Sequence, residues 1–172
     1  MAVDLLEKGA ILQRDKETYA IAPHIPGGII TDFNLLRKIA DIAEKYGVKA
    51  IKLTSAQRFA LVGIRAEDLD QVWQELGLSP GAAIGLCVRS VKICPGTTFC
   101  RIGMQDAVGV GLKLDAKYHG LALPFKFKMA SPAVPTTARN LRSRIWAWSV
   151  RLKAGESWQA GSHPASNPGW PM

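Results

Sequence analysis

The 172-residue sequence predicts an α+β fold, on three observations. Segments of strand composition alternate with segments whose apolar residues recur at helical spacing. Gly47 and Gly77 stand where two helical stretches run out, the usual place for a left-handed stop. Short turn-forming segments, such as Ser79-Pro80-Gly81, separate the elements.

ETYAIAP (17–23) has the composition of a short strand, ended by Pro23 and Pro26. Thr31 or Asp32 can then cap a helix, because a side-chain oxygen there accepts from a free N–H of the first turn. Leu35, Leu36, Ile39, Ile42, Ala43 and Tyr46 follow at helical spacing, and Gly47 ends the run. VKAIKLT (48–54) and RFALVGI (58–64) are strands joined by a short connection. A second helix places Leu69, Val72, Trp73 and Leu76 on one face and stops at Gly77. AIGLCVRSVKI (83–93) is a long strand. The order is strand, helix, strand, strand, helix, strand. That is the split βαβ, ferredoxin-like arrangement, with two helices on one face of an antiparallel sheet.

Beyond it, Thr97 can cap a helix running to about Lys117. Gly103, Gly109 and Gly111 within that helix each cost roughly 1 kcal/mol against alanine, so something packs close to this backbone. ALPFKFKMA (122–130) is a further strand, with Lys126 and Lys128 on one face because side chains alternate.

Composition excludes several classes. No apolar run approaches the ~20 residues that span a bilayer, and the N-terminus has charges where a signal peptide needs an apolar stretch. A cytoplasmic protein with no membrane partner is the expectation. Three cysteines, Cys87, Cys94 and Cys100, are too few and too clustered for a disulfide framework. The net charge of +8 suggests an anionic partner. Half of it sits after residue 130, and elsewhere bases and acids are interspersed, so nucleic acid is not the expected partner.

The sharpest chemical signal is VRSVKICPGTTFCR (88–101). Cys94 and Cys100 form a C-x5-C pair at the end of a strand, where Pro95 and Gly96 force a loop. Lys92 and Arg101 beside them favour thiolates. The spacing is wider than zinc pairs use and, alone, allows either two unlinked thiols or two ligands of one centre. Arg89 interrupts an apolar strand, and a buried arginine needs an anionic partner. His24, His119 and His163 match no metal spacing and are assigned structural or solvent roles. Gly27 and Gly28 precede a helix without the spacing of a phosphate loop.

Together with GGIITDFNLLRKIADIAEKYG (27–47), KLTSAQRFALVGI (52–64) and the Lys126-Phe127-Lys128 strand, these motifs resemble the sirohaem-dependent sulfite and nitrite reductases, most closely the small, single-module members. The resemblance implies a ferredoxin-like half domain at 1–80, followed at 81–130 by the start of an α+β region for a 4Fe-4S cluster and sirohaem. It implies reduction of sulfite or nitrite with electrons from a donor protein. Cys94 and Cys100 would be the first pair of cluster ligands, and Arg89, Lys126 and Lys128 would face the anion. The LT-x-x-Q segment contacts the macrocycle's carboxylates, which points to Gln57 and Arg58; Ala56 stands where many larger members have an arginine. Those larger members use two such halves around one sirohaem, so a homo-oligomer is one way a single half completes its site.

The family's second cysteine pair, C-x3-C, would follow KFKMA, but no cysteine follows Cys100. SPAVPTTARN (131–140) admits codons that, read two nucleotides later, give Pro-Gly-Cys-Pro-Asn-Asn-Cys-Ala-Glu. A frameshift near Ala130 is therefore expected. Residues 131–172, with four of the five tryptophans, form an aberrant and poorly ordered tail. With two of four expected thiolates, cluster assembly should be weak or absent. Either a reductase-type enzyme or a non-catalytic remnant with a ferredoxin-like fold follows.

Overall fold

The computed structural model describes residues 3–134. Strands β1 (Ala10–Leu12), β2 (Thr18–Ile21), β3 (Ala50–Leu53) and β4 (Phe59–Arg65) form an antiparallel sheet in the order β1-β2-β4-β3. Helices α1 (Asn34–Lys45) and α2 (Leu69–Leu76) pack together on it. Their apolar stripes supply Ile39, Ile42, Leu69, Val72 and Leu76, which meet Ile21, Leu61 and Ile64 of the sheet in one core. Asp32 accepts from the Asn34 N–H at 3.0 Å, but the cap position is one residue later, at Phe33, which has no polar side chain to cap with, so neither Thr31 nor Asp32 is the cap. Gly47 and Gly77 adopt φ of +61° and +66° at the ends of α1 and α2. The mixed ferredoxin-like architecture is the one the sequence predicts.

One strand is differently placed. Residues 83–93 do not form the last strand of this sheet. Ala82 and Gly85 both take positive φ (+46° and +102°), which breaks extended backbone, and the strand starts only at Val88. The vacant edge beside β2 is filled by β1. Its hairpin is closed by Asp15, whose carboxylate accepts from the Glu17 and Thr18 N–H groups and the Thr18 hydroxyl.

β5 (Val88–Ile93) instead pairs in parallel with β6 (Phe127–Ser131), forming a second small sheet. The predicted strand 122–130 is shorter at its start, because Pro124 and the bend beside it precede the ladder, and Lys126 lies just outside it. The helix predicted from Thr97 to Lys117 is two helices, α3 (Gly96–Phe99) and α4 (Ala107–Tyr118). Cys100 is extended (φ −104°, ψ 124°), and Asp106 starts α4 afresh by accepting from the Gly109 N–H. All three glycines do permit close approach. A Cβ at Gly111 would stand 2.7 Å from Ile93 Cγ1, one at Gly103 would collide with the Gly96 backbone, and one at Gly109 would collide with the Asp106 carboxylate.

The two sheets join through side chains as much as backbone. The Gln57 amide donates to the Ile93 carbonyl at 2.8 Å and accepts from the Ile93 N–H at 2.7 Å, extending β5 as a further strand would. Gln57 itself sits at φ +58°. Of the tail expected to be poorly ordered from residue 131, Ser131 ends β6 with its hydroxyl donating to the Ala107 carbonyl at 2.9 Å, and Ala133 is buried. Residues 135–172, with the rest of that expectation, lie outside the described residues.

Candidate oxyanion site

Five cations gather where the two sheets meet. The ladder between β5 and β6 slips between Val88 and Ser90, leaving Arg89 as an extra residue on β5. Such a bulge re-aims the side chain it carries. The Arg89 Nε and Nη2 groups both donate to the Gly85 carbonyl at 3.1 Å. The partner expected to be an anion or carboxylate is thus a backbone oxygen. This leaves the positive charge of Arg89 unneutralised by that contact.

Arg58 comes from the turn before β4 and is 9 % exposed. Gly81 makes room for it, since a Cβ there would stand 2.5 Å from Arg58 Nη1. Among the described residues no carboxylate lies within ion-pairing distance of this guanidinium. Burial and the charge of Arg89 push the Arg58 pKa down, while Asp115 pushes the other way. Lys128 on β6 pairs with Ser90 of β5. Burial lowers its pKa first, and the charges of Lys92, Arg89, Arg58 and Lys126 lower it further. Arg58 thus feels Arg89, and Lys128 feels Arg58, Arg89, Lys92 and Lys126. Like charges in excess of the nearby carboxylate, partly desolvated, are the electrostatic requirement of an anion site.

Gln57 and Arg58 also line an open cavity of about 270 Å³. Its walls include Ile25, Gly28, Leu53 and Phe59, an apolar surface of the kind that takes a flat organic group. Gln57 contributes its stem to that wall, because its amide is spent on Ile93.

The thiols lie at the other end of β5. Cys94 follows the strand, its N–H bonding the Ser131 carbonyl at 3.0 Å, and Cys100 ends α3 with its N–H on the Gly96 carbonyl at 2.9 Å. Both are partly exposed and free, and Cys87 is free and buried. Among the described residues no three His, Cys, Asp or Glu side chains converge as a metal site. A cubane cluster takes four protein ligands. These residues do not fit a complete cluster.

Sequence reasoning missed a second ionisable group behind Arg58. His24 Nε2 lies 2.8 Å from Asp115 Oδ2, and the His24 and His119 rings stack at 3.6 Å. Ninety-one residues separate His24 from Asp115, so no local spacing could have announced the pair.

Comparison with known proteins places this geometry. Residues 11–79 match the family described as the nitrite/sulfite reductase ferredoxin-like half domain. The chain is 46% identical over 128 residues to an assimilatory-type sulfite reductase of Nitratidesulfovibrio vulgaris, covering 74% of this chain and 58% of that protein. It is 44% identical over 126 residues to a nitrite reductase [NAD(P)H] of Bacillus subtilis, covering 73% of this chain but 15% of the relative. Among solved structures, dissimilatory sulfite reductase I superposes with a TM-score of 0.65 at 20% identity, over 76% of this chain and 32% of that one. The Mycobacterium tuberculosis NirA protein does so with a TM-score of 0.57 at 20% identity, over 67% of this chain and 22% of that one, and both likenesses speak for the fold. The chain thus spans somewhat over half of the first relative and a small part of the second. Residues 11–79 thus match the nitrite/sulfite reductase ferredoxin-like half domain, and the chain is similar to parts of sulfite and nitrite reductases.

Proposed function

We propose that the chain is the anion-binding part of an oxidoreductase that reduces sulfite or nitrite. Arg89, Lys126 and Lys128 receive the oxyanion, with Arg58 behind them. The observation that carries this reading is the bulge that re-aims Arg89 beside a buried Arg58 with no carboxylate in ion-pairing contact, together with a Lys128 whose pKa is lowered by burial and by the charges of Lys92, Arg89, Arg58 and Lys126. Ammonium and guanidinium donors bind an oxyanion through short charge-assisted hydrogen bonds and hold the negative charge that its oxygens carry. A bound anion also pushes the Lys128 pKa back up, so affinity and protonation support each other.

Gln57, Arg58 and the apolar wall of the cavity are the surface assigned to a tetrapyrrole. Cys94 and Cys100 are assigned as two cluster ligands. When present, these groups supply electrons. The described residues provide half of the thiolates a cubane needs, so no electron-transfer step is assigned to this chain alone. Three free thiols suit a reducing compartment, and a cytoplasmic location is part of this proposal. An electron-donor protein and a second copy or a remaining half complete the proposed assembly.

The shortfall of cysteines favours a second reading, a non-catalytic remnant that keeps the half-domain fold. Anaerobic reconstitution with iron, sulfide and sirohaem separates the two. Sirohaem absorption with dye-driven sulfite or nitrite reduction supports the enzyme. A colourless, inactive product that still binds the anion supports the remnant.

A further inference from the structure

The stacked histidines and Asp115 have no part in the anion contacts above. His24 belongs to the segment after β2, whereas Asp115 and His119 belong to α4 and its cap, so the group bridges the two sheets' helices and loops. Asp115 is 4 % exposed, and its carboxylate meets His24 at 2.8 Å. The His119 Nε2 atom is buried without a hydrogen-bond partner among the described residues. Of the groups whose charges act on Arg58, Asp115 is the carboxylate, alongside Arg89 and Cys87.

We propose that Asp115, held by His24, is the resident counter-charge of the oxyanion pocket and sets how strongly the pocket prefers a doubly over a singly charged anion. The proposal rests on the oxyanion reading. An empty pocket containing Arg58, Arg89, Lys92, Lys126 and Lys128 repels itself, and a buried negative charge behind it offsets part of that repulsion. The same charge opposes an arriving anion, and the opposition scales with the anion's charge. A dianion is therefore held back twice as much as a monoanion.

His119 from the end of α4 stacks on His24, and Arg58 from the turn before β4 feels the Asp115 charge. Burial, then the charge of His24, hold the His119 pKa down.

Equilibrium dialysis of the full chain against sulfite and against nitrite tests this, in mildly alkaline buffer where sulfite is a dianion and nitrite a monoanion. Asp115→Asn keeps the size and an oxygen for His24. The expected result is nitrite binding tighter by roughly threefold and sulfite binding tighter by about tenfold. Equal gains, no change, or weaker binding of both overturns the proposal. If the unmodified chain binds neither anion, the oxyanion reading itself fails. If it binds both and Asp115→Asn leaves their ratio unchanged, the counter-charge alone fails.

Discussion

Burial and the charges of Lys92, Arg89, Arg58 and Lys126 hold the Lys128 ammonium below the ordinary lysine pKa. For a base whose folded pKa is depressed, the charged form is destabilising in the fold. That penalty is present at neutral pH and is relieved as pH rises through the folded pKa. Anion binding has the opposite dependence, because it needs the proton and is lost across the same window, below the pH at which a free lysine titrates. Lys128→Met should therefore raise the melting temperature of the anion-free protein while weakening sulfite affinity by about tenfold, the loss of one charge-assisted contact. A thermal melt and a titration on the same sample check both signs. The sequence singles out Arg89, Lys126 and Lys128 by type and position, and in the fold the charges of Arg89 and Lys126 act on Lys128; their role toward an anion is part of the proposal. Gln57 was not legible as a strand surrogate, because its partner Ile93 is thirty-six residues away. The His24–Asp115 contact was hidden for the same reason.

At the scale of elements, α4 seats on β5 because Gly111 offers no side chain to Ile93. Replacing Gly111 with alanine improves helix propensity by about 1 kcal/mol. It also drives a methyl to within 2.7–3.0 Å of three carbons of Ile93, which is 2 % exposed and has nowhere to retreat. Overpacking of this kind costs about 1–3 kcal/mol, so Gly111→Ala should be net destabilising, measurable as a lower denaturant midpoint. Elements with a strong apolar period, α1 and α2, came out of the sequence with their glycine stops correct. Those decided by distant pairing did not. β1 is three residues long and carries no pattern of its own, and its place beside β2 is fixed by the Asp15 turn. The single helix expected from Thr97 fails at Cys100, where close packing of Gly103 on Gly96 sets the backbone.

For the molecule as a whole, the half-domain sheet and the β5–β6 pair are joined around Ile93, Arg58 and Asp115, and the proposed chemistry lies along that join. Composition announced the anion site only weakly, because the net charge of +8 is spread over the chain and half of it lies after residue 130. The missing second cysteine pair is expected to lie in another reading frame. Sequencing the gene across codon 130 should show codons that encode C-x3-C after a shift of two nucleotides, and codons that cannot encode it end that explanation.

The central claim is that Arg89 and Lys128 bind one small oxyanion. Isothermal titration of the full chain with sulfite, beside the Arg89→Gln, Lys128→Met double variant, tests it most directly. Saturable binding at a single site is expected in the unmodified chain, and none in a folded double variant. Equal binding by both proteins, or none by the unmodified chain, would contradict it.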